Sequence, residues 1–288
     1  MYYILISEFH NLYKQNGLSD QVIETFRDII YEYYHKKGRK FPFRDKISPY
    51  CVLVSEIMLQ QTQTSRVSQK FLEFIKKFPD FNALANADLD DVLKEWQGLG
   101  YNKRAVALKN IAEMVINEYN GQLPEEVKIL KTFPQIGHNT ASSIVSFAFN
   151  KSTFFIETNI RRVYIYFFFP GRDDVDDKEI MELLEQTTDT QNPREWYYAL
   201  MDYGVMLKKT HPELNKRSRH YRKQKKFKGS TRQLRGKVLK TVLEKSEILL
   251  ADLYKVLNFE KKKINKVVSQ LENEGFFTIK DNKIIVSK

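Results

Sequence analysis

Apolar residues recur at three- and four-residue intervals through almost the whole chain, in segments 22–34, 50–59, 67–78, 89–96, 105–119 and 180–184, with Pro or Gly between several of them. Such spacing gives helices that each bury one stripe, and it excludes a fold built on a large sheet. Period-two alternation appears only at the end. There FFTIKDNKIIVSK (276–288) reads as two short strands joined by Asp281-Asn282, a hairpin turn pair. Helical patterns at 233–243, 249–257 and 261–274 precede it, so residues 232–288 read as a winged-helix module. Its third helix opens on Lys261-Lys262-Lys263, which suits DNA; a protein partner is the other use of such a module.

With 288 residues, 42% of them hydrophobic and 29% charged, the chain has the composition of a soluble globular protein. No run approaches the length of a membrane span, and the apolar N-terminus lacks a basic leader and a cleavage site, so the expected location is cytoplasmic, near the nucleoid. The single cysteine, Cys51, rules out an internal disulfide and any site that needs several thiolates. Net charge is +11 with a pI near 9.4. Much of that charge lies in residues 207–236, LKKTHPELNKRSRHYRKQKKFKGSTRQLRG, where Glu213 is the sole acid and Tyr221 and Phe227 are interleaved. A basic run of this kind fits a phosphate backbone, and a solvated linker has the same composition.

Two carboxylates stand out. Glu56 lies in PYCVLVSEIML, a helix apolar nearly all round, which draws it into a weakly solvated place where it can hold a proton. Glu157 lies in FFIETNIRR (154–162), at the mouth of an apolar run and beside an amide and two arginines. A surface turn that pairs the glutamate with the arginines would produce the same nine residues. Between the two, LKTFPQIGHNTASSIV (130–145) reads as a helix end, a tight turn at 134–137 and a new helix whose first amides form an anion site, with Gly137 allowing close approach. The five histidines show no metal-ligand spacing.

Taken in order, FPFRDKISPY (41–50), SEIMLQQTQ (55–63), FPDFNALANADLDDVLKEWQGLGY (78–101), FPQIGHNTASSIVSFAF (133–149), FIETNIRRV (155–163) and WYYALMDYGVMLKKT (196–210) resemble the helix-hairpin-helix DNA glycosylase superfamily over residues 21 to about 228. The adenine glycosylases are most similar, with endonuclease III next. The resemblance implies a two-lobed helical fold in residues 21–206, an N-terminal extension in 1–20, a basic DNA-binding segment in 207–231 and the winged helix in 232–288. It implies that Glu56 protonates the leaving base and helps water attack the sugar, that Glu157 steadies the cationic sugar, and that Asn159 assists. Arg44 would lie near the flipped base, and Gln60 and Gln61 would probe the duplex. Tyr101, Asn102, Gly137, His138, Asn139, Thr140 and Arg161 complete the expected DNA-contacting set, with a monovalent cation as an option at the hairpin.

Several positions depart from the family pattern. Glu157 stands for an aspartate, Gln135 for the first glycine of the hairpin, and Asn102 for a tyrosine that reads oxidised guanine. Asn139 replaces the Schiff-base lysine of endonuclease III, which favours a monofunctional enzyme without lyase activity. No cysteine follows Lys208, so no iron-sulfur cluster is expected. The winged helix stands where many adenine glycosylases carry their oxidised-guanine-sensing domain. The expected protein is a cofactor-free, metal-free, monomeric base-excision glycosylase acting on double-stranded DNA, with adenine opposite 8-oxoguanine as target. Uracil or thymine mispaired with guanine, and a catalytically silent DNA-binding protein, are the alternatives.

Overall fold

The computed structural model describes residues 6–223 and 226–286; Met1 to Leu5, Gln224-Lys225 in the basic segment and the final Ser287-Lys288 lie outside the described residues. The chain divides into two compact units. The first comprises the chain up to Val52, Glu125–Thr132 and Ile136–Lys223; the second comprises Leu53–Pro124, Phe133–Gln135 and the described residues after 225. As expected, the fold is mainly helical with a small C-terminal sheet.

Helices Asp20–Lys37, Thr158–Phe168 and Pro193–Thr210 form the heart of the first unit. Its core is strongly aromatic. Phe26 meets Phe167, Phe168 and Trp196 edge-on at centroid distances of 5.0, 5.0 and 5.6 Å, the arrangement that ring quadrupoles favour. Helix Ile6–Asn16 sends Phe9 into the same core, edge-on to Phe167 and Phe168 at 5.1 and 5.6 Å.

Part of the basic segment, around Leu214 and Ser218, is likewise built in. Leu214 is buried against the aromatic core, and residues 175 and 218 pair as an isolated parallel bridge. Arg219 reaches Asp174 and Asp176 at 2.7 and 2.6 Å, and Arg217 donates to the Arg172 carbonyl at 2.8 Å. Part of the positive charge read from the sequence as DNA-facing therefore neutralises the acidic loop GRDDVDD. Lys208, Lys209, Lys216, Arg222 and Lys223 remain exposed, with Tyr221 among them.

In the second unit, helices Thr64–Lys77, Leu89–Trp96 and Lys103–Glu118 pack around Phe71, Phe74 and Trp96. The winged helix belongs to this unit. Helices Thr231–Lys245, Leu250–Val256 and Lys261–Asn273 enclose Val238, Leu253, Ile264 and Val267. The hairpin forms as read, Phe277–Lys280 against Lys283–Val286, with Asp281 and Asn282 at φ 49° and 59°, the left-handed pair that a two-residue turn requires. A third strand, Glu247–Leu249, pairs with Lys283–Val286 on its other side, opposing Ile248 to Ile284. Only one of its three residues is buried, too short a signal for periodicity to reveal. Among the described residues no helix is long and apolar enough to cross a membrane.

Candidate active site and nucleic-acid surface

Glu157 is the N-cap of helix Thr158–Phe168. Its Oε1 accepts from the backbone amides of Asn159 and Ile160 at 2.9 and 3.3 Å, and its Oε2 accepts from Asn159 Nδ2 at 3.3 Å. The apolar FFI before it explains this placement: Phe155 and Ile156 are buried in the aromatic core, so the chain must turn at Glu157 to start the helix. Burial pushes the Glu157 carboxyl above the ordinary carboxylate range, while the Asn159 amides, the Ile160 amide and the Arg162 charge pull it back.

The two arginines of FFIETNIRR part company. Arg162 is buried and donates to Asn159 Oδ1 at 2.8 Å and to the Gly204 carbonyl, so it orients the amide that contacts Glu157. Burial lowers the Arg162 pKa, and Glu157 counteracts that. Arg161 instead forms a two-pronged pair with Asp177 at 2.7 and 2.6 Å. Its expected approach to DNA would have to compete with that carboxylate.

Gly204, which the sequence reading did not single out, sets how closely two helices meet here. A Cβ at this position would lie 2.4 Å from the Asn159 carbonyl oxygen and 2.7 Å from Asn159 Cβ. Any side chain would push Asn159 away from Glu157. The signal was present as the lone glycine inside helix Pro193–Thr210, where glycine is otherwise costly.

Asn139 and His138 begin helix His138–Phe149 and turn back onto the strand-like approach to Glu157. Asn139 Nδ2 donates to the Ile156 carbonyl at 2.6 Å, and His138 Nε2 lies 3.1 Å from the Phe154 carbonyl. The Asn139 amide thus braces the residue before the carboxylate. Gly137 caps this helix with φ −89° and no side chain, and a Cβ there would meet nothing within 4 Å. Glycine is not demanded by the fold at this position, and the space before the helix start is open, as an anion site needs. Thr140 follows in the first turn, half-buried, its carbonyl accepting from Ser143 Oγ at 3.0 Å.

Arg44 is anchored on Asp202. Asp202, 1% exposed, accepts from Arg44 at 3.1 and 2.9 Å and from Arg39 through its backbone amide and guanidinium at 2.6–2.8 Å. The Arg44 guanidinium also lies 4.4 Å over the Tyr198 ring. Two arginines on one buried aspartate tie the segment 39–45 to helix Pro193–Thr210.

In the second unit, Glu56 sits half-buried on helix Pro49–Leu59, flanked by the fully buried Leu53, Ile57 and Met58. The C-terminal end of that helix is held by Arg104, another residue the sequence reading passed over. Arg104 is 3% exposed and donates to the carbonyls of Ile57, Met58 and Gln60 at 2.9, 2.9 and 2.6 Å, to Thr62 Oγ1 at 3.1 Å, and to the carbonyls of Leu99 and Gly100 at 3.1 and 2.9 Å. Burial pushes its pKa down to about 10, so it remains a cation at neutral pH, facing the negative end of the helix. Its position one turn before Leu108 on the buried face of Lys103–Glu118 was the readable signal. Replacing Arg104 by Met should cost about 3–5 kcal/mol of stability in denaturant melts, because the carbonyls it serves stay buried without a donor.

The loops that Arg104 ties together carry the other expected DNA contacts. Gln60 Nε2 donates to the Gln135 carbonyl at 3.1 Å. Gln61, Tyr101 and Gln135 adopt left-handed backbone conformations at φ 54°, 48° and 60°. For side chains of this size that geometry costs about 1–3 kcal/mol each and is typical of binding surfaces. Gln135 supplies without glycine the turn that the hairpin needs. Asn102 is the N-cap residue of helix Lys103–Glu118, and its side chain makes no capping hydrogen bond. The described residues hold no cluster of His, Cys, Asp or Glu suited to a metal ion.

Known proteins similar to this chain are DNA glycosylases and their structural relatives. Residues 54–189 match the family model of the HhH-GPD superfamily of base excision DNA repair proteins. An adenine DNA glycosylase of Buchnera aphidicola subsp. Baizongia pistaciae is 35% identical over 66% of this chain and 55% of its own length. An adenine DNA glycosylase of Mycobacterium tuberculosis is 36% identical over 46% of this chain and 43% of its own. The chain thus spans about half the length of the curated relatives it matches. Among solved structures, a thermostable thymine-DNA glycosylase aligns with a TM-score of 0.58 and 26% identity over 64% of this chain and 86% of that one. A trapped endonuclease III–DNA covalent intermediate shares the fold, with a TM-score of 0.54 and 19% identity over 68% and 88% of the two chains. Residues 54–189 thus carry an HhH-GPD domain of the base excision DNA repair type.

Proposed function

We propose that this protein is a monofunctional DNA glycosylase that hydrolyses the N-glycosidic bond of adenine mispaired with 8-oxoguanine in duplex DNA. The observation that carries the reading is the Glu157 carboxylate, fixed at a helix start by two backbone amides and by an asparagine that Arg162 orients in turn. A preset anion of this kind stabilises positive charge as it develops on a sugar whose base is departing. Glu56, on a helix apolar nearly all round, is suited to deliver the proton that makes the base a leaving group, and then to accept one from water. The open helix start at Gly137 suits a backbone phosphate. A base cannot be reached inside the stack, so the target must be extruded first. Adenine is favoured by relatives that carry that name at 35–36% identity. Asn139, occupied with the Ile156 carbonyl and without an amine, favours hydrolysis over imine formation.

A second reading, excision of thymine or uracil opposite guanine, is favoured by the likeness to the thermostable thymine-DNA glycosylase. One panel of duplexes separates them, each carrying a single candidate base pair and scored for abasic sites. Adenine opposite 8-oxoguanine should be cleared fastest and leave an unbroken strand, and borohydride should trap no covalent adduct. Faster release of thymine or uracil opposite guanine would replace the first reading by the second. Inert duplexes throughout would leave a DNA-binding protein.

A further inference from the structure

Helix Lys261–Asn273 of the second unit has two faces of different chemistry. Ile264, Val267, Val268 and Leu271 are buried and pack it against helix Thr231–Lys245. The opposite face carries Lys262, Lys266, Ser269 and Asn273, all exposed, at successive spacings of four, three and four residues. On a helix that spacing draws one line, about 16 Å long, on the side away from the core.

Acids are kept off this line. Glu260 pairs with Lys263 at 3.2 Å, Glu272 accepts from the Ile279 amide at 2.9 Å, and Glu274 is held by Arg235 and Lys103 at 2.5 and 3.2 Å. Among the described residues Lys262 and Lys266 make no ion pair, whereas exposed lysines on the other two helices of the module do: Lys240 with Glu244 at 3.6 Å and Lys255 with Asp252 at 2.8 Å. The hairpin carries a second unbalanced charge. Lys280 and Lys283 stand directly opposite each other on the paired strands, an arrangement that is destabilising for like charges. Glu247 offsets Lys283 at 2.6 Å, while Lys280 is exposed and pairs with no acid among the described residues. An anionic partner would remove that repulsion.

We propose that the exposed line of helix Lys261–Asn273 seats in the major groove of undamaged duplex DNA, with Lys262 and Lys266 on backbone phosphates and Lys280 adding a phosphate contact from the hairpin. A helix about 10–12 Å across fills a groove about 12 Å wide, so lysines reaching out from it meet the phosphate walls. The line holds no arginine fork for guanine, and lysines on phosphates position a protein without reading sequence. A hydrophobic peptide would find no apolar side chain along it. The site goes beyond the glycosylase reading, because it needs neither a lesion nor an extruded base. It gives the protein a hold on ordinary duplex that is independent of the carboxylates Glu56 and Glu157.

The test measures binding by the full-length protein over a range of salt, on undamaged duplexes of two unrelated sequences and on a single strand of the same length. Replacing Lys262 and Lys266 together by Gln should make the plot of log affinity against log salt shallower by about two on both duplexes, and Lys280→Gln by about one. Lys240→Gln, which alters a lysine already paired with Glu244, should leave the slope as it is. All these side chains are exposed, so melting temperatures should stay at the wild-type value. An unchanged slope in the double variant would overturn the proposal and point to an acidic protein as the partner of this face. A loss confined to one duplex sequence would overturn it as well, and so would an equal loss on the single strand, which has no groove. A shallower slope in a protein that excises nothing would support the groove site while the glycosylase reading fell.

Discussion

Glu56→Gln is expected to fold and to bind lesion duplex as the wild type does, and to lose base excision by on the order of 10² to 10⁴ in single-turnover rate. Glutamine has nearly the same volume as glutamate at this half-buried position, so the packing of helix Pro49–Leu59 is preserved. What disappears is the proton. An amide neither donates to the departing base nor accepts from water. Arg104 sharpens the expectation, because it fixes the carbonyls of Ile57 and Met58 immediately after Glu56 and so limits how far the helix could adjust to recruit another acid. Turnover near the wild-type rate in Glu56→Gln would remove this residue from the mechanism. A matched loss of melting temperature would mark it as structural.

The parts of the molecule that follow from local rules were legible in the sequence. Helical spacing gave the long helices, and Asp281-Asn282 gave the hairpin, because each depends on residues adjacent in the chain. The charged residues of the interior were not legible. Arg104, Asp202 and Arg162 lie on helix faces that also carry apolar residues, and each is buried because a partner distant in sequence awaits it: the end of helix Pro49–Leu59, the segment 39–45, and the Gly204 carbonyl. Pattern reading drew Glu56 inward because its whole helix is apolar, but on a mixed helix face it treats a charge as solvated. The ion pairs of Arg44 with Asp202 and of Arg161 with Asp177 were likewise invisible to it, since each partner lies far off in sequence. Arg217 and Arg219 show that charge counted along a segment overstates what that segment offers a phosphate.

Glu157→Gln is expected to lower excision by on the order of 10² to 10³ while hardly changing affinity for intact lesion DNA, because the charge matters where the sugar becomes cationic and little before. Stability should move by no more than about 1 kcal/mol. Glutamine is a poorer acceptor for the Asn159 and Ile160 amides, and the substitution also relieves the burial of a charge. The sign of the pH effect follows from the same balance. A carboxyl raised by burial favours folding while it is protonated, and that contribution is fully present below its ordinary pKa and lost as pH rises through the folded value. Catalysis needs the opposite form. Excision should therefore decline as pH falls through a point above the usual carboxylate range, and this acid limb should vanish in Glu157→Gln. Gly204→Ala supplies the control for geometry: it keeps the charge but drives Asn159 outward, and should reduce excision while the acid limb persists at an altered position. A surface turn pairing glutamate with arginine predicts normal excision for both variants, and finding that would return FFIETNIRR to a merely structural role.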